Sequence, residues 1–118
     1  MPVLRVRAFN HIGPGQDPRF VVPAVARQIA IGERDRLERI AINVGNVDTR
    51  RDFSDVRDIV RAYRLVGERG DPDAVYLACS GRSVAVRELI DGLAAMAPRT
   101  TISGVTVLRP LLTVAHAR

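Results

Sequence analysis

The sequence predicts an α/β fold, because apolar residues recur with a period of two in some segments and at helical spacing in others, and the two kinds alternate along the chain. Length bounds the answer: 118 residues hold one modest core and leave no room for a second full domain. With 47% apolar and 26% charged residues, the composition is that of a packed protein and not of a disordered segment.

Leu4, Val6 and Ala8 alternate with Arg5 and Arg7 and run into Phe9, which predicts one short strand. The segment from Asn10 to Pro18 reads as a loop from its glycine and proline content. Pro23 suits the first turn of a helix to about Ile31, with Val22, Val25, Ala26 and Ile29 as its apolar stripe and Gly32 as its stop. A charged stretch from Glu33 to Arg39 precedes a strand at Ile40 to Val44, and a third extended piece is expected from Arg50 to Phe53. Ser54 or Asp55 then caps a helix with Val56, Ile59, Val60, Tyr63 and Val66 at helical spacing. Gly67 interrupts that pattern and Gly70-Asp71-Pro72 ends it.

Val75 to Cys79 has strand character, with Cys79 expected in the core, and Ser80-Gly81 turns the chain. Arg87 to Met96 is the last expected helix, with Leu89, Ile90, Leu93 and Met96 facing inward. Val105 to Leu108 suits a final strand ended by Pro110. Several of these strands are short enough to need partners from elsewhere, as in a fragment.

The charge pattern narrows the chemistry. All eighteen basic residues are arginine, the net charge is +5, and mechanisms that need a lysine amine are excluded. A guanidinium offers a rigid fork of donors to phosphate or carboxylate. The arginines are dispersed among acids and aromatics are few, which argues against nucleic acid as a partner. No apolar run approaches the roughly 20 residues needed to span a bilayer. The charged opening does not suit a secretory signal, so cytoplasmic residence and no membrane partner are expected.

Cys79 stands alone, and two histidines with scattered acids make no metal spacing, so no metal site is assigned. Ser80-Gly81 is no nucleophile elbow, since Ala78 occupies the place of the required glycine. Gly13-Pro14-Gly15 is no dinucleotide loop, because proline removes a backbone N–H that phosphate would use. His11 has the intrinsic pKa of a general base, but no orienting partner or nucleophile accompanies it, and no catalytic residue is assigned. Arg50-Arg51-Asp52-Phe53 is a better phosphate candidate: extended backbone points Arg51 and Phe53 one way and Arg50 and Asp52 the other. The same residues also fit a solvated strand end with weak Arg–Asp pairs, and spacing alone leaves both open.

Three ordered blocks carry a resemblance. Arg7 to Gln16 (RAFNHIGPGQ) resembles the loop after the catalytic Tyr-x-x-x-Lys helix and the next strand in extended short-chain dehydrogenases. Arg50 to Asp58 (RRDFSDVRD) resembles that family's second substrate-binding signature, and Val75 to Gly81 with Arg87-Glu88-Leu89-Ile90 resembles a third block. The likeness is greatest to GDP-mannose 4,6-dehydratases and GDP-4-keto-6-deoxy-mannose reductases. It implies a partial Rossmann-like fold, the C-terminal substrate-binding portion of an NAD(P)-dependent epimerase/dehydratase, lacking the N-terminal nucleotide-binding half. Residues 1–98 would be that portion and 99–118 a divergent tail.

By this resemblance Asn10 contacts a GDP-linked hexose near its diphosphate, Arg51 clamps the diphosphate, Val22 lines the nucleotide side, Val44 lies near the base or ribose, and Arg109 echoes a further basic contact. His11 borders the nicotinamide of NADP or NAD, the cofactor of the complete family enzyme, which this chain alone is not expected to bind. The expected partner is a missing N-terminal half or a full-length homologue. The glycine-rich loop and the Tyr-x-x-x-Lys pair are absent from the sequence, and neither Tyr63 nor Tyr76 is placed to replace that tyrosine.

Overall fold

The computed structural model describes residues 1–97 and the backbone of residues 101–107. The chain divides into two compact units: Met1–Gln16 with Arg50–Val84, and Asp17–Thr49 with the chain from Ala85 onward. Both mix helix and strand, as the alternating periodicity predicts.

In the first unit, β1 (Arg5–Ala8) pairs in parallel with β5 (Val75–Ala78), Arg7 opposite Leu77. A second sheet has the order β2 (Asn10–Ile12), β4 (Arg50–Asp55), β6 (Ser83–Ala85). The helix α2 (Val56–Arg69) packs on β1, β2, β4 and β5. Asp55 is its N-cap, accepting from the Arg57 N–H at 2.8 Å, and this settles the choice between Ser54 and Asp55. Gly13 follows β2 against α2, where a Cβ would overlap the Val56 side chain, so only glycine admits this approach.

In the second unit, β3 (Arg39–Val44) pairs in parallel with β7 (Thr101–Val107), and α1 (Val21–Arg34) packs on β3 and on α3 (Val86–Ala95). β3 alternates buried and exposed along its length, burying Ile40, Ile42 and Val44, with Ile42 fully inaccessible. These residues form one core with Val25, Ile29, Val47, Val86, Ile90 and Ala97. The N-cap of α3 is Ala85, which has no side-chain acceptor; the Glu88 carboxylate takes up the Ala85 N–H at 3.2 Å instead.

Several expectations are corrected. Asn10 to Ile12 is a strand and not the start of the loop, because β4 runs two residues further than expected and offers an edge to it. Gly32 does not stop α1. It is buried inside the helix, where a Cβ would collide with Ile40, and the helix continues to Arg34. Gly67 likewise stays inside α2. The three-residue strand β6 had no signal in the sequence.

Cys79 is exposed rather than in the core, just past the end of β5. Tyr63, Val60 and Met96 are exposed although their spacing places them on apolar stripes. The reason for α2 is that the sheets cover one side of it, which suffices for Ile59 and half-buries Val56, Ala62 and Val66. Met96 is the C-cap of α3, beyond the stripe. Among the described residues no helix is long and apolar enough to cross a membrane, and no group of three or more His, Cys, Asp or Glu is placed to hold a metal ion.

Candidate functional site

The β2–β4 pair brings together two of the residues singled out in the sequence. Its parallel register sets Asn10 opposite Phe53, His11 opposite Ser54 and Ile12 opposite Asp55. Opposed residues share a face of a sheet and successive residues alternate. Asn10, Phe53 and Arg51 therefore lie on one face, with His11, Ser54, Asp52 and Arg50 on the other. Two residues of rise and one strand spacing separate Asn10 from Arg51, roughly 8 Å between backbone positions. Both side chains are exposed, and Arg51 Nη1 donates to the Arg50 carbonyl at 3.1 Å.

The opposite face anchors the strand. Arg50 donates from Nε to Ser83 Oγ at 3.2 Å and from Nη2 to the Ser83 carbonyl at 2.9 Å. The Asp52 carboxylate accepts from the Ser80 N–H at 2.9 Å, the Ser80 hydroxyl at 2.8 Å and the Gly81 N–H at 2.8 Å. Those hydrogen bonds, the Ser80 backbone N–H foremost, hold its carboxyl below the usual carboxylate range. Asp52 thus ties the strand that carries Arg51 to the turn after β5. Arg57 does the same to Asp55 through side-chain and then backbone hydrogen bonds, lowering its pKa from 3.8 to about 2.

The His11 ring Nδ1 stands 3.0 Å from the Phe9 carbonyl, a bond in which Nδ1 carries the proton. Gln16 Nε2 donates to the His11 carbonyl at 3.2 Å, closing the loop back on β2, while Gln16 Oε1 is buried without a hydrogen-bond partner among the described residues. Val22 and Val44 belong to the second unit: Val22 is half-buried in the first turn of α1, and Val44 is 7% exposed within the core. Arg109 lies outside the described residues. Sequence reasoning missed the structural weight of Asp52 and Gln16. Both stand inside the blocks quoted above, so the signal was a motif position and not a spacing.

A chemistry follows from the Asn10–Arg51 face. A guanidinium and an amide, one a cation with several donors and the other both donor and acceptor, suit an anionic polyoxygen ligand that also carries hydroxyls.

Comparisons with known proteins agree with the fold and the motifs. The family model described as GDP-mannose 4,6 dehydratase matches residues 1–107. The chain is 46% identical over 95 residues to the GDP-6-deoxy-D-mannose reductase of Pseudomonas aeruginosa, covering 80% of this chain and 31% of that protein. It is 30% identical over 83 residues to the human GDP-mannose 4,6 dehydratase, covering 70% of this chain and 22% of that one. The solved structure of RMD from Pseudomonas aeruginosa, complexed with NADPH, superposes with a TM-score of 0.81 at 40% identity over 92% of this chain and 36% of that chain. The chain thus spans about a third or less of the length of these relatives. It belongs to the GDP-mannose 4,6-dehydratase family of the extended short-chain dehydrogenases, and represents a part of that Rossmann-like fold.

Proposed function

We propose that this chain is the substrate-binding portion of a cytoplasmic nucleotide-sugar dehydratase or reductase, that residues 1–98 carry this role with 99–118 as a divergent tail, and that it contributes GDP-hexose binding without being catalytic alone. The observation that carries this is the common face of Asn10 and Arg51 on the β2–β4 pair, made by the register of Asn10 with Phe53. Arg51 takes the diphosphate and Asn10 the adjoining sugar-nucleotide oxygens.

The residues present do not fit a complete NADP or NAD site. The N–H groups of the Ser80-Gly81 turn are engaged by Asp52, the His11 Nδ1 proton by the Phe9 carbonyl, and no lysine exists to complete a Tyr-x-x-x-Lys pair. His11 is at most a border of the nicotinamide, and no hydride step follows for this chain on its own.

Calorimetry with GDP-mannose tests the proposal. Heat of binding at millimolar ligand is expected, with Arg51→Ala weakening it about 10- to 100-fold, the scale of a lost charge-assisted contact. Absence of heat from the wild-type chain sinks it. A second reading, an inactive structural or regulatory piece that associates with a full-length homologue, is favoured by the exposed Val75 and Leu77 on β5. Association with that homologue without any GDP-mannose binding would select it.

A further inference from the structure

β3 is paired along one edge. Its parallel neighbour is β7, and among the described residues no strand lies along its other edge. In a parallel pair the N–H and C=O of a residue point to the same side, and successive residues alternate. The Asn43 N–H donates to Gln28 Oε1 at 2.8 Å, and Gln28 Nε2 donates to the Asn43 carbonyl at 2.8 Å. Asn43 therefore turns its backbone groups away from β7, and Ala41 does the same, since the irregularity of the pair skips Ser103 of β7 and leaves β3 continuous. The Gln28 carboxamide meets Asn43 as a strand residue would, acceptor to donor and donor to acceptor. Its Nε2 also donates to the Ala24 carbonyl at 3.3 Å, one turn back in α1, which fixes the side chain over the edge. Ala41 has no such side-chain partner among the described residues.

The sequence of this edge calls for such a block. Ile40-Ala41-Ile42-Asn43-Val44 carries no charge and no proline and is rich in β-branched residues, the composition that recruits a further strand where an edge is open. It is also self-complementary. Two-fold antiparallel pairing about Ile42 sets Ala41 opposite Asn43 and Ile40 opposite Val44, with no like charges opposed. That pairing would need the Asn43 N–H and C=O. We infer that the Gln28 side chain is a block to strand addition: by occupying both groups it keeps the β3 edge from pairing with β3 of a second copy of this chain. The inference is independent of the GDP-hexose reading, since Gln28 acts on the edge whether or not the chain takes a nucleotide sugar.

Amide hydrogen exchange and sedimentation of the full chain test it. In the unaltered chain the Asn43 amide should exchange about tenfold more slowly than the Ala41 amide, the protection of one hydrogen bond. Gln28→Leu, of similar size without donor or acceptor, should abolish that difference at low concentration. It should also self-associate as concentration rises, with Asn43 and Ala41 protected together in the associated form. Adding Asn43→Pro to Gln28→Leu removes the outward N–H, spares the bonds to β7 and should restore the sedimentation of the unaltered chain. Equal exchange of Asn43 and Ala41 in the unaltered chain overturns the inference, even where Gln28→Leu fails to fold. So does a Gln28→Leu chain that is folded by circular dichroism and sediments like the unaltered one, or association that survives Asn43→Pro.

Discussion

The two units differ in how far they complete themselves. Among the described residues, nine of the buried apolar side chains belong to the second unit, in a single cluster, whereas the first unit buries Ile59 and Ala78. The first unit also leaves Phe9, Val60, Tyr63, Leu65, Val75 and Leu77 exposed. Yet it is the first unit that carries the Asn10–Arg51 face, fixed by Asp52 and Arg50 to the segment after β5. The contrast teaches that local polar anchoring can fix the geometry of a strand face where few apolar side chains are buried around it. Among the described residues, the second unit is held by packing, and the first more by hydrogen bonds around its strands.

That contrast can be broken by mutation. Ile42→Ala, at 0% exposure in the packed unit, should cost about 2–5 kcal/mol in chemical denaturation. Leu77→Ala in the open unit should stay within about 0.5 kcal/mol. Equal losses would mean that the units are equally packed. Gly32→Ala, whose Cβ must displace Ile40, should destabilise by about 1–3 kcal/mol. Gly67→Ala on the exposed side of α2 meets nothing and should stabilise by up to about 1 kcal/mol. A thermal melt of each variant reads both signs.

The smallest effect is electrostatic. Asp55 titrates near 2 in the folded chain, below its ordinary value of 3.8, because of its hydrogen bonds with Arg57. A lowered folded pKa stabilises above the unfolded value, and that contribution disappears as pH falls from about 4 towards 2. Arg57→Ala should raise the Asp55 midpoint in an NMR titration and flatten the acid dependence of stability over this window. An unchanged midpoint would remove Asp55–Arg57 from the list of anchors.

The sequence made the helices legible through their stripes, and the alternation of Arg51 with Arg50 and Asp52 through the period of a strand. What it hid was non-local. β2 is three residues long beside a Gly-Pro loop, and exists because β4 lies next to it. Asp52 finds its donors 28 and 29 residues further along the chain, beyond any local pattern. Residue type and spacing place Tyr63 and Cys79 inward, but among the described residues nothing covers them enough to bury them. The motif blocks carried the family, which no periodicity would have revealed.

The central claim is that the Asn10–Arg51 face receives a GDP-linked hexose. NMR titration of the chain with GDP-mannose addresses it most directly. The account predicts saturable shifts centred on Asn10, Arg51 and Phe53, reduced by Arg51→Ala and absent with free mannose. Saturable shifts confined to residues away from this face, or unchanged in Arg51→Ala, would contradict it.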